Sequence, residues 1–147
     1  MAGIKRVLKE LSNWEEIPYE DVYIEHEEDD MFNWKGYIFG PPDTPYENGK
    51  FKFSINLPQE YPFKPIKFKF ETPMFHPNIS DDGMVSIKWS RDEWTPVISI
   101  RWFIEYIISI LKNPWTFYFL NIEAAMLYLT DSDKYNQVAK EMTQKYA

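Results

Sequence analysis

The 147-residue chain contains no cysteine. That excludes disulfide frameworks, thiolate metal sites and thiol nucleophiles in the chain as written. It leaves the compartment open, because secreted and cytosolic proteins alike can lack cysteine. Histidine is nearly as scarce. His26 lies in the acidic run "IEHEEDD", which reads as a solvated hairpin tip rather than a metal site, and no metal or cofactor is expected. No apolar run reaches the roughly 18 to 20 residues that span a bilayer. The longest, from Ile98 to Leu111, is interrupted by Arg101 and Glu105. "MAGIKRVLKEL" is charged and amphipathic and lacks the apolar core of a secretory signal. Sixteen basic residues face 23 acidic ones, a net charge of −7. A phosphate backbone wants a basic surface, so nucleic acid and anionic membrane are not expected partners.

Aromatic residues are plentiful, at 18% of the chain, so most must pack and any left over are candidates for an interface. The length suits one domain over 1–147 with a core of its own. Ile4, Val7, Leu8 and Leu11 recur at helical spacing, opposite Lys5, Arg6, Lys9 and Glu10, predicting a first helix that ends near Ser12-Asn13. "YEDVYIEHEEDD" and "MFNWKGYIFG" read as two strands. "PPDTPYENG" is turn chemistry, and "KFKFSINL" alternates with Phe51, Phe53, Ile55 and Leu57 on one face. "IKFKF" supplies a fourth strand beyond the proline-rich "PQEYPFKP". The period then turns helical. Ile100, Phe103, Ile104, Ile107, Ile108 and Leu111 predict a helix that is apolar nearly all round, hence buried. Asn121 can cap a short helix with Ile122, Ala125, Met126 and Leu129 inward, and "TDSD" caps a last helix carrying Tyr135, Val138, Ala139 and Met142. One helix, a four-stranded antiparallel meander and three later helices make an α+β domain.

"HPNISDDGMVSIKWSRDEWTP", residues 76–96, reads as strand, turn, strand and a loop closed by Trp94 and Pro96. It looks like the surround of an active site, yet at its centre stands Ser86. That serine is a nucleophile, a disabled nucleophile or strand filler.

Several motifs, in order along nearly the whole chain, resemble those of the ubiquitin-conjugating enzymes. The similarity is greatest to the short, ligase-promiscuous class that consists of the catalytic core alone. "GPPDTPYENGKF" is similar to the family's G-P-x-x-(S/T)-P-Y-x-G-G-x-F turn. "YPFKP" resembles its proline-rich loop, "FHPNI" its His-Pro-Asn signature, "EWTP" its W-(S/T)-P, and "TDSDKYNQVAKEMTQKYA" the class's last helix. The resemblance implies the UBC fold, a role in the ubiquitin pathway and a cytoplasmic or nuclear setting. It also implies ubiquitin, the activating enzyme and RING or U-box ligases as partners. The family's cysteine lies eight residues beyond the Asn of His-Pro-Asn, which from Asn78 is Ser86. By the same resemblance Asn78 is either an oxyanion donor or a tie for the turn, and His76 shapes that turn. Lys5, Arg6 and Lys9, then Pro62 and Phe63, then Thr95 and Pro96 match the ligase-docking positions. Tyr23 stands where a small polar residue is expected on the face for a second, non-covalent ubiquitin.

Departures from the family pattern gather at the reaction centre. Lys88 replaces an acid, Tyr118 stands near the acid that orients the incoming lysine, and "NPWTFYFL" replaces a polar loop. A hydroxyl ionises far less readily than a thiol and needs an adjacent base, and an oxyester would release ubiquitin poorly. A Ser86–His76 dyad lacks an acidic orienter at motif spacing. Three readings follow. The chain is an inactive or ester-trapping conjugating enzyme, a non-catalytic ligase-binding adaptor, or a redesigned scaffold on this fold. "WTFYFL", residues 115–120, is expected to be partly exposed and to serve partner contact or self-association.

Overall fold

The strict alternation of β3 (Lys50–Asn56) builds the inner face of the sheet. Phe51, Phe53 and Ile55 are buried while Lys50, Lys52 and Asn56 are exposed. At about 1.5–3 kcal/mol for each fully buried large apolar side chain, this strand is a principal anchor of the core. The structure, a computed structural model, describes residues 2–16, 19–87 and 93–147. β1 (Val22–Glu27) and β2 (Asp30–Phe39) form a hairpin, and β4 (Lys67–Phe70) closes an antiparallel sheet of order β1-β2-β3-β4. Phe53 stacks on Phe68 with centroids 5.0 Å apart, and Phe68 meets Phe103 at 5.4 Å. Phe103 belongs to α2 (Ile100–Lys112), which lays its buried face of Ile100, Phe103, Ile104, Ile107, Ile110 and Leu111 into the core. Ser99 caps α2 by accepting from the Trp102 amide at 3.0 Å.

The first helix differs from expectation in length and in face. α1 (Ala2–Glu16) runs past Ser12-Asn13 because Trp14 is buried, against Tyr19 at 5.7 Å and under the Arg101 guanidinium at 5.0 Å. Its buried stripe is Val7, Glu10 and Trp14, whereas Ile4 and Leu8 are exposed. Glu10 therefore leaves the polar face to which its neighbours Lys5, Arg6 and Lys9 assign it.

Two further expectations are corrected. Residues 76–86 form no strands of their own, only the isolated bridges His76↔Ile79, Ile79↔Val85 and Lys69↔Met84. Their hydrogen bonds go instead to a tight turn and to distant elements. In α3 (Ile122–Thr130) Asn121 caps as expected, accepting from Ala124 N at 3.0 Å, but only Ala124 and Ala125 are buried. Ile122, Met126 and Leu129 point outward, because the small alanines let the helix lie close to the body and take the inner face. Asp131 caps α4 (Ser132–Tyr146) by accepting from the Lys134 amide at 3.2 Å. Tyr135 and Ala139 of α4 are buried, and Val138 and Met142 half-buried. Among the described residues no helix is long and apolar enough to cross a membrane.

Candidate active site

The turn that carries residue 86 is made by Ser80 and Gly83. Ser80 N donates to Met84 O at 2.9 Å, and Met84 N donates to Ser80 Oγ at 3.0 Å. Gly83 adopts a φ of +88°, and a Cβ there would lie 2.0 Å from the Phe70 carbonyl oxygen. Only glycine meets both conditions. Beyond the turn the chain is held at residue 86 from two sides: Ser86 N donates to Asn78 O at 2.8 Å, and Tyr106 Oη of α2 donates to Ser86 O at 2.6 Å. Burial pushes the Tyr106 phenol up to about 12, so it remains a donor across the neutral range. Ser86 is thereby fixed beside Asn78 but only 6% exposed. Among the described residues no acid or base is hydrogen-bonded to its hydroxyl.

Asn78 uses every polar group it has. Its backbone N–H donates to His76 Nδ1 at 2.9 Å and its carbonyl receives Ser86 N. Its side-chain Nδ2 donates to Trp115 O at 2.7 Å and Tyr118 O at 3.0 Å, while Oδ1 accepts from Trp115 N at 2.7 Å. This is the tie between the His-Pro-Asn segment and the 115–118 loop. An oxyanion donor would have to be freed from one of these bonds.

His76 is fully buried. Since Nδ1 accepts from Asn78 N, the proton sits on Nε2, which donates to Ile110 O at 2.7 Å. Burial outweighs the attraction of the Ile110 carbonyl and lowers the imidazole to about 4, so the ring is neutral at neutral pH. Both nitrogens are occupied by backbone, which removes His76 as a base for Ser86. The ring also packs 5.7 Å from Tyr46, whose hydroxyl donates to Phe75 O at 2.6 Å and lies 2.5 Å from Tyr135 Oη. The "GPPDTPYENGKF" turn thus props the histidine from behind. Thr44 Oγ1 donates to Pro41 O at 2.7 Å and accepts from Tyr46 N at 3.2 Å to fix that turn.

Tyr118 reaches the site through its carbonyl alone. Its ring is exposed and lies 5.1 Å from Trp115. Trp115 and Phe119 are half-buried and Phe117 is 76% exposed, so the loop is partly in and partly out, but Phe117 does not share the side of Trp115 and Phe119 that alternation would give it. Lys88 lies outside the described residues. His26 is half-buried on β1 with Nδ1 2.7 Å from Glu27 O, and no group of three or more potential metal ligands occurs among the described residues.

The positions expected to dock ligases converge through a residue, Glu10, that the sequence did not mark out. The buried Glu10 carboxylate accepts from Ile100 N at 2.6 Å, from Tyr61 Oη and from Arg6 Nε at 3.1 Å. Tyr61 in turn lies 6.4 Å from Trp94, whose Nε1 donates to Pro62 O at 2.8 Å. Helix α1, the "YPFKP" loop with its cis Tyr61–Pro62 bond and the "EWTP" loop are locked together in this way. Phe63, Thr95, Pro96, Lys5 and Lys9 are exposed, Arg6 is half-buried, and Pro62 is buried, so Phe63 supplies the free side chain of its pair.

The family model described as ubiquitin-conjugating enzyme matches residues 6–143. The chain belongs to the ubiquitin-conjugating enzyme family. Two solved ubiquitin-conjugating structures bear the fold out. One, titled as a putative conjugating enzyme from Plasmodium yoelii, is 31% identical with a TM-score of 0.91, over 100% of this chain and 96% of that one. A conjugating-enzyme E2 domain from Toxoplasma gondii is 33% identical with a TM-score of 0.87, over 98% of each chain. The UBC fold and a place in the ubiquitin pathway follow. Tyr23, on the outer sheet face of this conjugating fold, is stacked on Tyr37 at 5.3 Å. A carboxylate within the apolar stripe Val7, Leu11 and Trp14 was the available signal for Glu10. Nothing in "SILKNPW" announces that Ile110 O and Trp115 bind His76 and Asn78.

Proposed function

We propose that this chain keeps the scaffold and ligase-docking surface of the ubiquitin-conjugating enzymes but does not carry ubiquitin as a thioester. One observation bears most of the weight. Ser86 stands at the nucleophile's place with its backbone held by Asn78 and Tyr106, while the nearby imidazole is neutral and taken up by backbone. A serine hydroxyl without a base is a poor nucleophile, and the ester it would form is a poor donor. Tyr118 and Lys88 in place of acids weaken the handling of an acceptor lysine in the same direction. Phe63, Thr95 and Pro96 with Lys5, Arg6 and Lys9 form an aromatic anchor with a basic rim suited to a RING or U-box domain. Cytoplasm or nucleus is the setting in which such an adaptor would meet ubiquitin, its activating enzyme and ligases.

The test is incubation with activating enzyme, ubiquitin and ATP, beside a Ser86→Cys version, with RING-domain binding measured separately. The expected result is RING binding without a thiol-sensitive adduct from the unmodified chain. A hydroxide-labile, thiol-resistant adduct would establish ester trapping in place of pure adaptor behaviour. Discharge of ubiquitin to lysine by the unmodified chain overturns the proposal.

A further inference from the structure

We infer that the apolar face running from the 115–120 loop along α3 is the docking surface for a second copy of this chain. Phe117, Tyr118, Leu120, Ile122, Met126 and Leu129 are all exposed, between 44% and 76%, within thirteen consecutive residues. Even at the ~150–250 Å² of an aromatic side chain for all six, these exposures amount to at most roughly 550–900 Å². The largest apolar patch of an ordinary monomer is about 300–600 Å². A standard interface buries about 800 Å² on each partner, so this face supplies most of one half.

The spacing favours a copy of the same chain over a foreign partner. Ile122, Met126 and Leu129 stand at i, i+4 and i+7, within a narrow stripe of one helix face. A two-fold axis passing midway between positions 125 and 126, with the helices antiparallel, sets the two Met126 side chains close together. It also brings Ile122 against Leu129 of the second copy, and Leu129 against its Ile122. That reciprocity is what a closed dimer requires. The face is also held in place. Pro77 O accepts Leu120 N at 2.8 Å and Asn121 N at 3.2 Å, Asn78 ties residues 115 and 118, and Asn121 caps the helix. The inner side of α3 is filled by Ala124 and Ala125 with the half-buried Leu127 and Tyr128, and the outer stripe is not among the residues packed on the core. The inference does not depend on the chemistry of residue 86.

Sedimentation equilibrium from about 5 to about 200 µM is expected to show a reversible monomer–dimer equilibrium. Ile122→Lys should raise the dissociation constant at least ~30-fold, the size of a central interface contact. Because these side chains are exposed, helix content by circular dichroism should not change. The double variant Ile122→Lys/Leu129→Glu should recover dimer, since the antiparallel pairing sets the new charges against each other. Met126→Lys serves as a second disruptor should Ile122→Lys fold poorly. A monomer at every concentration overturns the inference, as does a dimer indifferent to these substitutions, open-ended aggregation, or a monomer that binds lipid vesicles through this face.

Discussion

Acid should find His76 before it finds any carboxylate. The folded protein holds the imidazole at about 4, against about 6.5 in an unfolded chain. Below the unfolded value the unfolded state takes up a proton that the native state refuses, so stability is complete above about pH 6.5 and falls as the pH drops toward 4. Linkage gives a loss of about 2 kcal/mol between pH 7 and pH 5, approaching about 3 kcal/mol at pH 4. Glu60 and Asp82 also have lowered values, Glu60 chiefly through its own backbone amide and Asp82 through Ser80. Their stabilisation is likewise lost on acidification, but in the carboxylate range below about pH 4.5, so a comparison between pH 7 and pH 5 isolates the histidine. Urea unfolding at the two pH values measures the loss, and the His76 ring-proton shift by NMR reports its own titration. A ring that titrates near 6.5 in the folded protein, or stability that is flat from pH 7 to 5, would refute the assigned tautomer and the bonds to Ile110 and Asn78.

Asn78→Ala removes three side-chain hydrogen bonds to residues 115 and 118 and should cost about 2–4 kcal/mol. It should also speed hydrogen exchange at the Trp115 amide, and unchanged exchange there would show that the amide does not tie the loop. Glu10→Ala strips the acceptor from Ile100 N and Tyr61 Oη and should lower stability by about 3 kcal/mol in urea titration. A change under about 0.5 kcal/mol would mean that α1 is held by apolar contact alone. Gly83→Ala is strained both by its backbone angle and by the Phe70 carbonyl, so a loss of at least about 2 kcal/mol and a lower Tm are expected. Phe117→Ser should be near neutral for unfolding. Trp115→Ser, half-buried beneath it, should cost more, and equal costs would place both rings in the core.

Alternation and period made the sheet and the buried helix α2 readable, because a two-residue repeat in Phe51, Phe53 and Ile55 and a helical repeat in Ile100, Ile104 and Ile107 each admit one buried face. The same logic misplaced α3. Its apolar residues lie on two faces, and the one that went in holds Ala124 and Ala125 with the half-buried Leu127 and Tyr128, leaving Ile122 and Met126 outside. Glu10 was assigned to the polar face of α1 because periodicity ranks a carboxylate by its charge. What buries it is a pair of donors, Ile100 N and Tyr61 Oη, that lie far away in the chain. The motif spacing located Ser86, Asn78 and His76, and the structure brings the three together. The bonding of His76 and Asn78 could not be read in advance, because their distant partners are backbone atoms of residues 110, 115 and 118, and a backbone atom has no signature in sequence.

Those backbone partners also mean that the proposed absence of thioester chemistry does not require a change in the shape of the site. His76 bonds Ile110 O and Asn78 N, Asn78 bonds residues 115 and 118, and residue 86 is held through its own N–H and carbonyl. None of these bonds depends on the side chain at 86 or 118, so exchanging sulfur for oxygen or a carboxylate for Tyr118 leaves the arrangement closed. Fold and transfer chemistry are therefore separable here. Ser86→Cys should leave the urea midpoint almost unchanged while supplying the one atom whose acidity a thioester needs. A large loss of stability in that variant would mean the pocket around 86 has been repacked for the hydroxyl, and the serine would then have a structural role of its own.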